Sequence, residues 1–547
     1  MAHKGSRVRS VVAKANSKLT VQWAAVLLSS SMLLSSLLGI YRDRILNSLY
    51  LDCSGPCYPV GIDAYTVAFS VPDFMYFMLV SGALSVSFIP VLNQRLAKGN
   101  KRSAWELSSS LINFMAIITL LASILIIIFA DFLISIIAPG LDESGRSLAA
   151  SMMRVIAVNP FLFAIATVIA SMQQAVGRFA FYALAPTIYN IGIIIGALFF
   201  TQGITIGSWQ VFEGGIMGVA LGVVLGSIMQ LLVSSLGLIG LGFEYKPKIS
   251  WRNKGFRRVM VLLPPRSLDQ GIDYFYQFIE INLASGMASG TIRAYQQASS
   301  LALMPVNLIG VAISNAAFPK MTERIGSNEP ELFRSELQSV LRVIIWLALP
   351  VATITYFARG YIVNFIANGG NALIAGLLGA LVISILFRTI YHIAARSFYA
   401  QQDTKTPLYI SIVSIGLNIF LAVWFTKSLN LGPYGLAWSQ SIVAVVEVAL
   451  LFTVMARRMP GIFDIVFVHA IARMASATGF MALVTYVLVL TFQLQRGDQS
   501  FFATFPKFFV ITFVSFGVYL FFSRLLKLKE ADPVISKLNS IVFARRF

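Results

Sequence analysis

Apolar stretches of 18 or more residues recur along the whole chain, and they constrain its fold more than any other feature. A helix of that length crosses the roughly 30 Å hydrocarbon core of a bilayer. The composition agrees, since 57% of the 547 residues are hydrophobic and only 12% are charged, whereas soluble domains carry roughly 25% charged residues. We therefore predict an all-α, polytopic membrane protein without a sizeable soluble domain.

The hydropathy pattern predicts fourteen membrane spans, numbered here span 1 to span 14. Their approximate limits are 22–50, 63–93, 107–136, 148–173, 182–201, 215–241, 259–287, 291–318, 337–358, 371–400, 407–427, 435–456, 466–491 and 501–523. The basic segment before span 1 resembles the start of a signal peptide. The apolar run that follows is too long for a signal core, so we predict an uncleaved first helix.

The distribution of basic residues orients these spans. With a cytoplasmic N-terminus, the cytoplasmic segments hold 28 Lys and Arg residues and the outer loops hold three, as the positive-inside rule requires. An even number of spans then places the C-terminus in the cytoplasm as well. This asymmetry and attraction to anionic lipids explain the net charge of +19, so nucleic-acid binding is not predicted.

A weak internal repeat divides the chain into halves. A Gln-Gln pair ends span 4 at Gln174 and span 10 at Gln402, and an asparagine follows sixteen residues later in each case, at Asn190 and Asn418. Repeats of this kind are common in transporters, which bind substrates between the halves. We predict a basic N-terminus at residues 1–20, an N-lobe at 21–241, a basic linker at 242–258 and a C-lobe at 259–457. Two added helices follow at 464–525, and a basic tail at 526–547.

Seven segments have a more specific pattern. They are LLGIYRDRIL (37–46), IDAYTVAFSVPDFMYFMLVSGALSVSFIPVL (62–92), APG (138–140), APTIYNI (185–191), ASGTI (288–292), LMPVNLIGVAISNAAFPKMTE (303–323) and FYAQQDTKTP (398–407). In this order they resemble the MurJ (MviN) lipid II flippases, a family of the multidrug/oligosaccharidyl-lipid/polysaccharide (MOP) flippase superfamily. The resemblance covers spans 1 to 12.

The resemblance implies two six-helix lobes around a central cavity, followed by two extra helices. It implies a flippase that moves lipid II, a lipid-linked peptidoglycan precursor, across the bacterial cytoplasmic membrane by alternating access. The expected partners are an undecaprenyl-type lipid-linked precursor and membrane lipids, with other cell-wall synthesis proteins as further candidates. No organic cofactor is expected, and sodium or a proton is the candidate coupling ion.

Members of this family line the cavity with several arginines thought to hold the substrate pyrophosphate, and this chain retains only one of them. Arg42 and Asp43 match the Arg-Asp pair of the family's first helix. The other expected arginines are replaced by Ser36, Tyr76, Phe77 and Ser300, and a helix 2 acid is replaced by Ser81.

Arg42 and Asp43 have two interpretations. They could end span 1 at the membrane surface, but they would then lie at its outer end, against the positive-inside trend. Alternatively, the helix continues to about Tyr50, and Arg42 faces the cavity and binds the substrate diphosphate. Because consecutive residues point about 100° apart on a helix, the two side chains cannot both face one partner squarely, so one of them could serve structure.

Arg388, His392 and Arg396 in span 10 are spaced i, i+4 and i+8, which places them on one helix face. They could simply extend to the cytoplasmic surface, which suits Arg396 and suits the deeper Arg388 poorly. The other interpretation is an anion site that replaces the missing arginines, because guanidinium groups bind phosphate oxygens in pairs. We predict a second substrate contact here, nearer the cytoplasm than Arg42.

Span 7 carries three acids, Asp269, Asp273 and Glu280, close to one stripe of the helix. Acids within a membrane are costly and usually functional. Asp273 and Glu280 are therefore candidates for carrying a coupling proton, although Glu280 could instead be a structural partner of Arg293.

The family resemblance adds a possible sodium site. In some members, the region of Glu280 forms such a site with spans 11 and 12. Asn418 matches a span 11 ligand position, and Gln440 stands roughly where a span 12 hydroxyl would be. Ala422 replaces an acid expected one turn after Asn418, so both sodium and proton coupling stay open.

Cys53 and Cys57 lie in one short loop that is predicted to be outside the cytoplasm. Two thiols without a nearby histidine are a weak metal signal. In an oxidising compartment the two could form a local disulfide, and we predict that they do.

Two further functions stay open. An ion-coupled exporter of another lipid-linked oligosaccharide or of amphipathic small molecules is favoured by the acids of span 7 and opposed by the basic face of span 10. A non-transporting scaffold would have little reason to carry charges inside the membrane. No Gly-rich phosphate loop and no His/Cys cluster indicates an enzyme.

Overall fold

The structure is a computed structural model that describes residues 21–51, 59–206, 209–495 and 497–536. Its chain divides into two compact units, Met1–Ile292 and Arg293–Phe547. Cys53 and Cys57 lie outside the described residues, so their disulfide stays a prediction.

The first unit is helical except for one short hairpin, within the residues that the structure describes. Its helices are α1 (Val21–Tyr50), α2 (Pro59–Ala68), α3 (Ser70–Tyr76), α4 (Gly82–Ala97), α5 (Lys101–Ile137), α6 (Glu143–Ile156), α7 (Asn159–Ala175), α8 (Ala180–Phe199), α9 (Met217–Leu236) and α10 (Lys254–Ser285). A π-helical turn, Phe77–Ser81, joins α3 to α4. The antiparallel hairpin of β1 (Ile204–Ile206) and β2 (Trp209–Phe212) lies between α8 and α9, with Ile204 opposite Phe212.

The second unit is entirely helical over its described residues. Its helices are α11 (Thr291–Pro305), α12 (Ala312–Gly326), α13 (Pro330–Phe357), α14 (Arg359–Asn364), α15 (Ala372–Ala380), α16 (Val382–Ala400), α17 (Lys405–Val423), α18 (Pro433–Arg458), α19 (Ile465–Thr491) and α20 (Phe501–Leu525). Two π-helical turns, Val306–Val311 and Trp424–Ser428, follow α11 and α17.

The described residues contain ten helical segments that are long and apolar enough to cross a membrane, or eleven when α15 and α16, bent by 45°, count as one span. Predicted spans 1, 2 and 7 coincide with α1, the α2–α4 segment and α10, which are helical over comparable lengths. The all-α, multi-span prediction is confirmed, and a total of fourteen spans is consistent with this structure.

Helix α5 shows how such a span is built. Asn100 caps its first turn by accepting a hydrogen bond from the Ser103 backbone N–H at 3.0 Å, which satisfies one of the donors that a helix start leaves free. One face carries Leu111 and Met115 into the core, whereas Leu121 and Ile128 on other faces are more than half exposed. Exposed apolar residues in this pattern suit a lipid environment.

Span 2 is broken where its sequence requires a break. Helix α2 ends at Ala68 and α3 begins at Ser70. Pro72 lacks a backbone N–H, and its ring clashes with the carbonyl group four residues earlier, which belongs to Ala68. The interruption places the following residue, Asp73, in the first turn of a new helix.

Helices α8 and α9 pack through glycines. A Cβ atom on Gly222 would lie 2.5 Å from the Cα of Gly196, and one on Gly226 would lie 2.5 Å from the backbone oxygen of Tyr189. Gly222 and Gly226 are four residues apart and so share one face of α9, which is the helix-packing pattern of small residues in membranes. The close approach fixes α8, which carries Asn190.

Helix α10 and the residues just after it are attached to the end of α5 and to α2. Asn282 donates a hydrogen bond to the Ile136 carbonyl at 2.8 Å, and the Gly140 backbone N–H donates to Ser285 Oγ at 3.1 Å. Just beyond α10, the Gly290 N–H donates to the buried Asp63 carboxylate at 2.6 Å. These bonds explain why the compact units divide at Ile292, one helix after the basic segment at 242–258. The assignment of lobes made from the sequence stays a prediction.

The glutamines of the sequence repeat have equivalent structural roles. Gln173 in α7 donates a hydrogen bond to the Ser234 carbonyl near the end of α9 at 2.7 Å. Gln401, just after α16, points its amide group at Met455 Sδ near the end of α18, at 3.4 Å. In each unit, one glutamine therefore connects the end of one helix to the last turn of another.

The turn after Gln401 ends in a polar cap. Asp403 accepts hydrogen bonds from the backbone N–H and the hydroxyl of Thr406, at 3.0 and 2.6 Å, and forms a 2.6 Å ion pair with Arg458. The Arg458 guanidinium also lies 5.1 Å from the centroid of the Phe398 ring. Asp403 thus connects the start of α17 to the ends of α16 and α18.

We predict that a glycine change between α8 and α9 disrupts the first unit. Gly222→Ala should lower the free energy of unfolding by roughly 1–3 kcal/mol, because the methyl group overpacks a backbone contact. The matched control is Gly416→Ala in α17, where a Cβ would meet nothing within 4 Å. Thermal melting in detergent should separate the two variants, and equal melting temperatures would contradict the packing described.

A second prediction concerns Asp403. Asp403→Ala should cost about 1–2 kcal/mol, the usual value of a lost N-cap. Asp403→Asn should cost less, because it keeps an oxygen acceptor for Thr406 and loses only the charge that pairs with Arg458. Chemical or thermal unfolding of the two variants measures the contribution of the cap and that of the ion pair. If both variants lower the free energy of unfolding equally, the ion pair supplies all of the effect.

The pH dependence of this contribution has a defined sign. Hydrogen bonds from the Thr406 hydroxyl and backbone, together with Arg458, hold the pKa of Asp403 below its ordinary value. A group with a depressed folded pKa contributes stability above its unfolded pKa of about 3.9, and the contribution is lost as the pH falls through the folded value. The difference between wild type and Asp403→Asn should therefore be the same at pH 7 and pH 5.5.

Candidate functional site

Arg42 lies in α1, which continues to Tyr50 as the second interpretation of the sequence expected. Its Nε–H and Nη2–H groups donate to Asp43 Oδ1, at 3.2 and 3.0 Å, and an Nη1–H group donates to Asn190 Oδ1 at 2.9 Å. The long arginine side chain bends back onto its neighbour, so the two side chains contact each other. Asp43 is its structural partner.

Asn190 is held in place by α1 as well as by its own helix. Its Nδ2 group lies 3.2 Å from Ser35 Oγ and 3.3 Å from the Ser35 carbonyl, and 3.2 Å from the Pro186 carbonyl. An asparagine suits this position because its amide donates to oxygen acceptors while its carbonyl accepts from Arg42. Asn190 and Asp43 together fix the orientation of the guanidinium group.

Arg42 keeps part of its hydrogen-bonding capacity. A guanidinium has five N–H donors, and three of them are used in the contacts with Asp43 and Asn190. Its side chain is 25% exposed, so the group is accessible. Tyr65 of α2 and Tyr189 of α8 lie within electrostatic range of the guanidinium, and their phenol groups add further polar character around it.

Helix α16 brings Arg388, His392 and Arg396 together as the spacing predicts. All three side chains are partly exposed, and both arginines lie close enough to His392 to interact with it electrostatically. Within the described part of the chain, no acid forms an ion pair with any of the three. Three groups that are cationic or can become so therefore share one face without a counter-charge.

The surroundings of this face are small and polar. A Cβ atom on Gly310, in the π-helical turn after α11, would lie 2.8 Å from the Thr389 carbonyl oxygen and 3.2 Å from His392 Cδ2. On the residue before His392, the Tyr391 hydroxyl lies 3.3 Å from Ser411, which donates to Glu447 at 3.0 Å. Gly310 thus leaves His392 room beside the π-helical turn, where backbone irregularity often marks functional sites.

Aromatic residues occupy the positions in predicted span 2 where arginines were expected. Tyr76 shares a 2.9 Å hydrogen bond with Thr167 and packs edge-on against Phe163 of α7, with ring centroids 5.4 Å apart. Phe77 stacks on Tyr274 of α10 at 4.7 Å. These contacts fill the position with packed rings, so α3 supplies no cation there.

The predicted ion-coupling residues fall in both units. Glu280 is buried in the first unit, with 8% of its surface exposed, and the side chain of Asp273 is outside the described residues. In the second unit Asn418 is 5% exposed, and the oxygens Asn418 Oδ1 and Ser414 Oγ, one turn apart on α17, have no hydrogen-bond partner among the described residues. Gln440 donates to the Tyr295 hydroxyl at 2.7 Å.

Comparison with known proteins identifies the family. The sequence profile described as "Lipid II flippase MurJ" matches residues 60–506. The chain belongs to the MurJ lipid II flippase family. A probable lipid II flippase MurJ of Thermotoga maritima is 26% identical over 511 residues, covering 92% of this chain and 96% of that protein. A lipid II flippase MurJ of Burkholderia cenocepacia is 24% identical over 455 residues, covering 80% and 84%.

Solved structures support the same fold. A lipid II flippase MurJ in an inward closed conformation matches with a TM-score of 0.73 at 22% identity, over 91% of this chain and 98% of that one. An inward-facing multidrug resistance MATE family transporter of the MOP superfamily matches with a TM-score of 0.62 at 17% identity, over 81% and 99%. The MurJ family consists of transporters rather than enzymes, as the sequence analysis expected.

Three features of this MurJ family member were not predicted as site features. Asn190 was noticed as a repeat position, and its place in an apolar helix could have suggested a buried partner. Asp73 stands inside a predicted span next to a proline, which is a recognisable signal for an intramembrane acid. Gly310 carried no such signal, because only the packing of α16 against the π-helical turn reveals its role.

We predict that Asn190 is required to orient Arg42. Asn190→Leu should lower transport by roughly tenfold or more, since a hydrogen bond to a charged group contributes about 1.5–3 kcal/mol. Asn190→Asp should recover part of the activity, because it still accepts from Arg42. Transport in proteoliposomes and thermal melting should be measured on the same variants. Normal transport by folded Asn190→Leu would show that Arg42 does not need its hydrogen bond to Asn190.

Proposed function

We propose that this protein translocates lipid II, or a closely similar lipid-linked diphosphate precursor, across the bacterial cytoplasmic membrane by alternating access. The observation that carries this proposal is the basic face of α16, where the cations Arg388 and Arg396 flank His392. A membrane protein has little reason to keep such a face without a counter-charge unless an anionic ligand provides one.

The contrast with other basic residues supports the proposal. Ion pairs neutralise many of the cations in the second unit, at Lys320–Glu336, Arg324–Glu329, Arg334–Glu331, Arg342–Glu530, Arg458–Asp403 and Lys507–Asp498. The α16 residues differ in that no described acid pairs with them. A diphosphate fits this chemistry, because guanidinium groups bind phosphate oxygens through parallel N–H bonds.

In the first unit, Arg42 is the proposed binding residue for the substrate diphosphate. Asp43 neutralises part of its charge, so we expect Arg42 to contribute directed hydrogen bonds more than net attraction. Its fixed orientation lowers the entropy lost when a ligand binds. The α16 face, which carries more net charge, then contributes most of the electrostatic attraction for the head group.

The family assignment supports a peptidoglycan role and a bacterial cytoplasmic membrane. The excess of basic residues in the predicted cytoplasmic segments supports the proposal that both termini lie in the cytoplasm. Interaction with other cell-wall synthesis proteins is part of the same proposal. The relatives from Thermotoga maritima and Burkholderia cenocepacia are named as lipid II flippases, and we extend that substrate to this chain.

Sodium or a proton is the proposed coupling ion. The buried oxygens of Asn418 and Ser414 are donors of the kind that hard cations prefer, and the buried carboxyl of Glu280 is a candidate proton carrier. Among the described residues, no group of three or more His, Cys, Asp or Glu side chains could hold a metal ion. Sodium would therefore depend on neutral oxygen ligands around Asn418.

The central test removes the α16 charges. Arg388→Ala and Arg396→Ala should each lower lipid II transport by about tenfold or more, since each charge-assisted hydrogen bond contributes roughly 1.5–3 kcal/mol. The lysine replacements should retain part of the activity, because the charge remains and the paired donors are lost. The assay is flipping of fluorescent lipid II in proteoliposomes.

Arg457→Ala provides the matched control. Arg457 is an exposed arginine at the end of α18, outside the proposed site, and its loss should leave transport unchanged. If the Arg388→Ala, Arg396→Ala double variant is folded and transports lipid II at the wild-type rate, the anion is held elsewhere. If that variant instead gains export of amphipathic cations, the alternative exporter function is favoured.

A further inference from the structure

The linker segment between α9 and α10, residues 242–253, is bound to the start of α5 through its backbone. The Lys246 backbone N–H donates to Ser109 Oγ at 3.2 Å. The Asn113 side-chain amide donates to the carbonyl oxygens of Lys246 and Lys248, at 2.8 and 3.2 Å. Because these bonds use backbone groups of the segment, they leave its basic side chains available for other contacts.

Two polar side chains of the linker segment add to this attachment. The Tyr245 hydroxyl donates to Asn113 Oδ1 at 2.5 Å. Ser250 Oγ donates to Glu106 Oε1 at 2.7 Å, and the Ser250 backbone N–H donates to Ser110 Oγ at 3.0 Å. The linker segment therefore follows a defined course along α5 without regular secondary structure of its own.

Helix α5 shows where this segment lies relative to the bilayer. Its 37 residues correspond to roughly 55 Å at a rise of 1.5 Å per residue, whereas the hydrocarbon core is roughly 30 Å thick. Residues 101–113 are mostly polar, and the run from Phe114 to Ile137 is mostly apolar. The apolar run alone is long enough to cross the core, so residues 101–113 and the linker segment bound to them lie at the membrane surface.

Two exposed aromatic side chains of the linker segment lie near the polar end of that apolar run. Tyr245 is 55% exposed and Trp251 is 58% exposed. The Trp251 ring packs edge-on against Phe114 and Phe256, with ring centroids 5.9 and 5.3 Å apart. Exposed Trp and Tyr side chains at this level are typical of the head-group region of a bilayer.

The exposed cations around these rings have no counter-charge from the protein. With Tyr245 and Trp251 they form what we call the linker surface, and they are Lys98, Lys101, Arg102, Lys246, Lys248 and Arg252. Asn253 joins the linker segment to α5 near the first three, because its Nδ2 group donates to the Ser103 carbonyl at 3.4 Å. Over the part of the chain that the structure describes, no acid forms an ion pair with any of the six cations.

We propose that the linker surface binds anionic phospholipids of the leaflet that it faces, which is the cytoplasmic leaflet in the predicted topology. Lipid phosphates supply the missing counter-charge, since each basic residue at an anionic membrane surface improves binding roughly fivefold. An acidic protein segment would also supply charge, but it would not account for two exposed rings at the membrane boundary. The proposal does not depend on which substrate is transported.

The test uses Trp251 of the full-length protein as a fluorescent reporter. Phosphatidylcholine nanodiscs receive equal mole fractions of either brominated phosphatidylglycerol or brominated phosphatidylcholine, because bromine quenches tryptophan on contact. The chain has 7 tryptophans, so the Trp251 signal is the difference between wild type and Trp251→Phe, which keeps an aromatic ring.

We expect the anionic lipid to quench the Trp251 signal several-fold more strongly than the zwitterionic lipid, and added salt to reduce that preference. Equal quenching by the two lipids would overturn the proposal. An absence of quenching by both would also overturn it, because Trp251 would then not contact lipid.

Charge-removing variants distinguish a built surface from attraction to the net charge. The triple variant Lys246→Gln, Lys248→Gln, Arg252→Gln should lose at least tenfold in apparent affinity for phosphatidylglycerol, since three basic residues are removed. The matched control is Arg524→Gln, Lys527→Gln, Lys529→Gln, which removes three exposed cations at the end of α20 and just after it. The control should keep the wild-type preference, and equal losses in the two variants would contradict a specific surface.

Two further measurements test the arrangement and the occupant. Asn113→Leu removes three bonds to the linker segment without changing any charge, so the preference should fall several-fold in protein with wild-type circular dichroism. An unchanged preference would show that the folded arrangement is not needed. If this variant does not fold, the charge-removing variants decide the question. Unlabelled lipid II should not relieve quenching by phosphatidylglycerol, and relief at an equal mole fraction would assign the surface to the substrate instead.

Discussion

A charge inside a bilayer must be compensated, and the polar organisation of this protein follows from that constraint. Arg42 bends back onto Asp43 and reaches Asn190 because an unpaired guanidinium at that depth would be costly. Arg342 and Glu530 form another ion pair, between α13 and the segment after α20. Arg388, His392 and Arg396 form no ion pair with any acid among the described residues, and the proposed anion site is based on that difference.

The apolar packing serves to keep these charged groups in place. Close glycine contacts hold α9 against α8. They thereby fix the position of Asn190 in α8, which accepts a hydrogen bond from Arg42. In the second unit, Gly310 lets the π-helical turn approach α16 beside His392. Trp346 and Tyr519 fix α20 on α13 through bonds of 3.1 Å from Trp346 to Ser523 and 2.8 Å from Tyr519 to the Trp346 carbonyl.

The sequence predicted the membrane spans because hydropathy over twenty residues is a strong local signal, and the motifs predicted the family. It also predicted the shared face of Arg388, His392 and Arg396, which follows from helical periodicity alone. It did not predict that Arg42 contacts Asp43, because the angle between Cβ atoms does not limit where a long flexible side chain ends. The role of Asn190 depends on how α1 meets α8, which no local pattern encodes. The hairpin between α8 and α9 was also not predicted, since its strands are only three and four residues long.

The most direct test of the anion-binding claim is an experimental structure with a lipid-linked diphosphate bound. We expect phosphate oxygens about 3 Å from a guanidinium nitrogen of Arg388 or Arg396, the usual length of a charge-assisted hydrogen bond. A bound diphosphate that contacts neither arginine, with the α16 face left in water, would contradict the account.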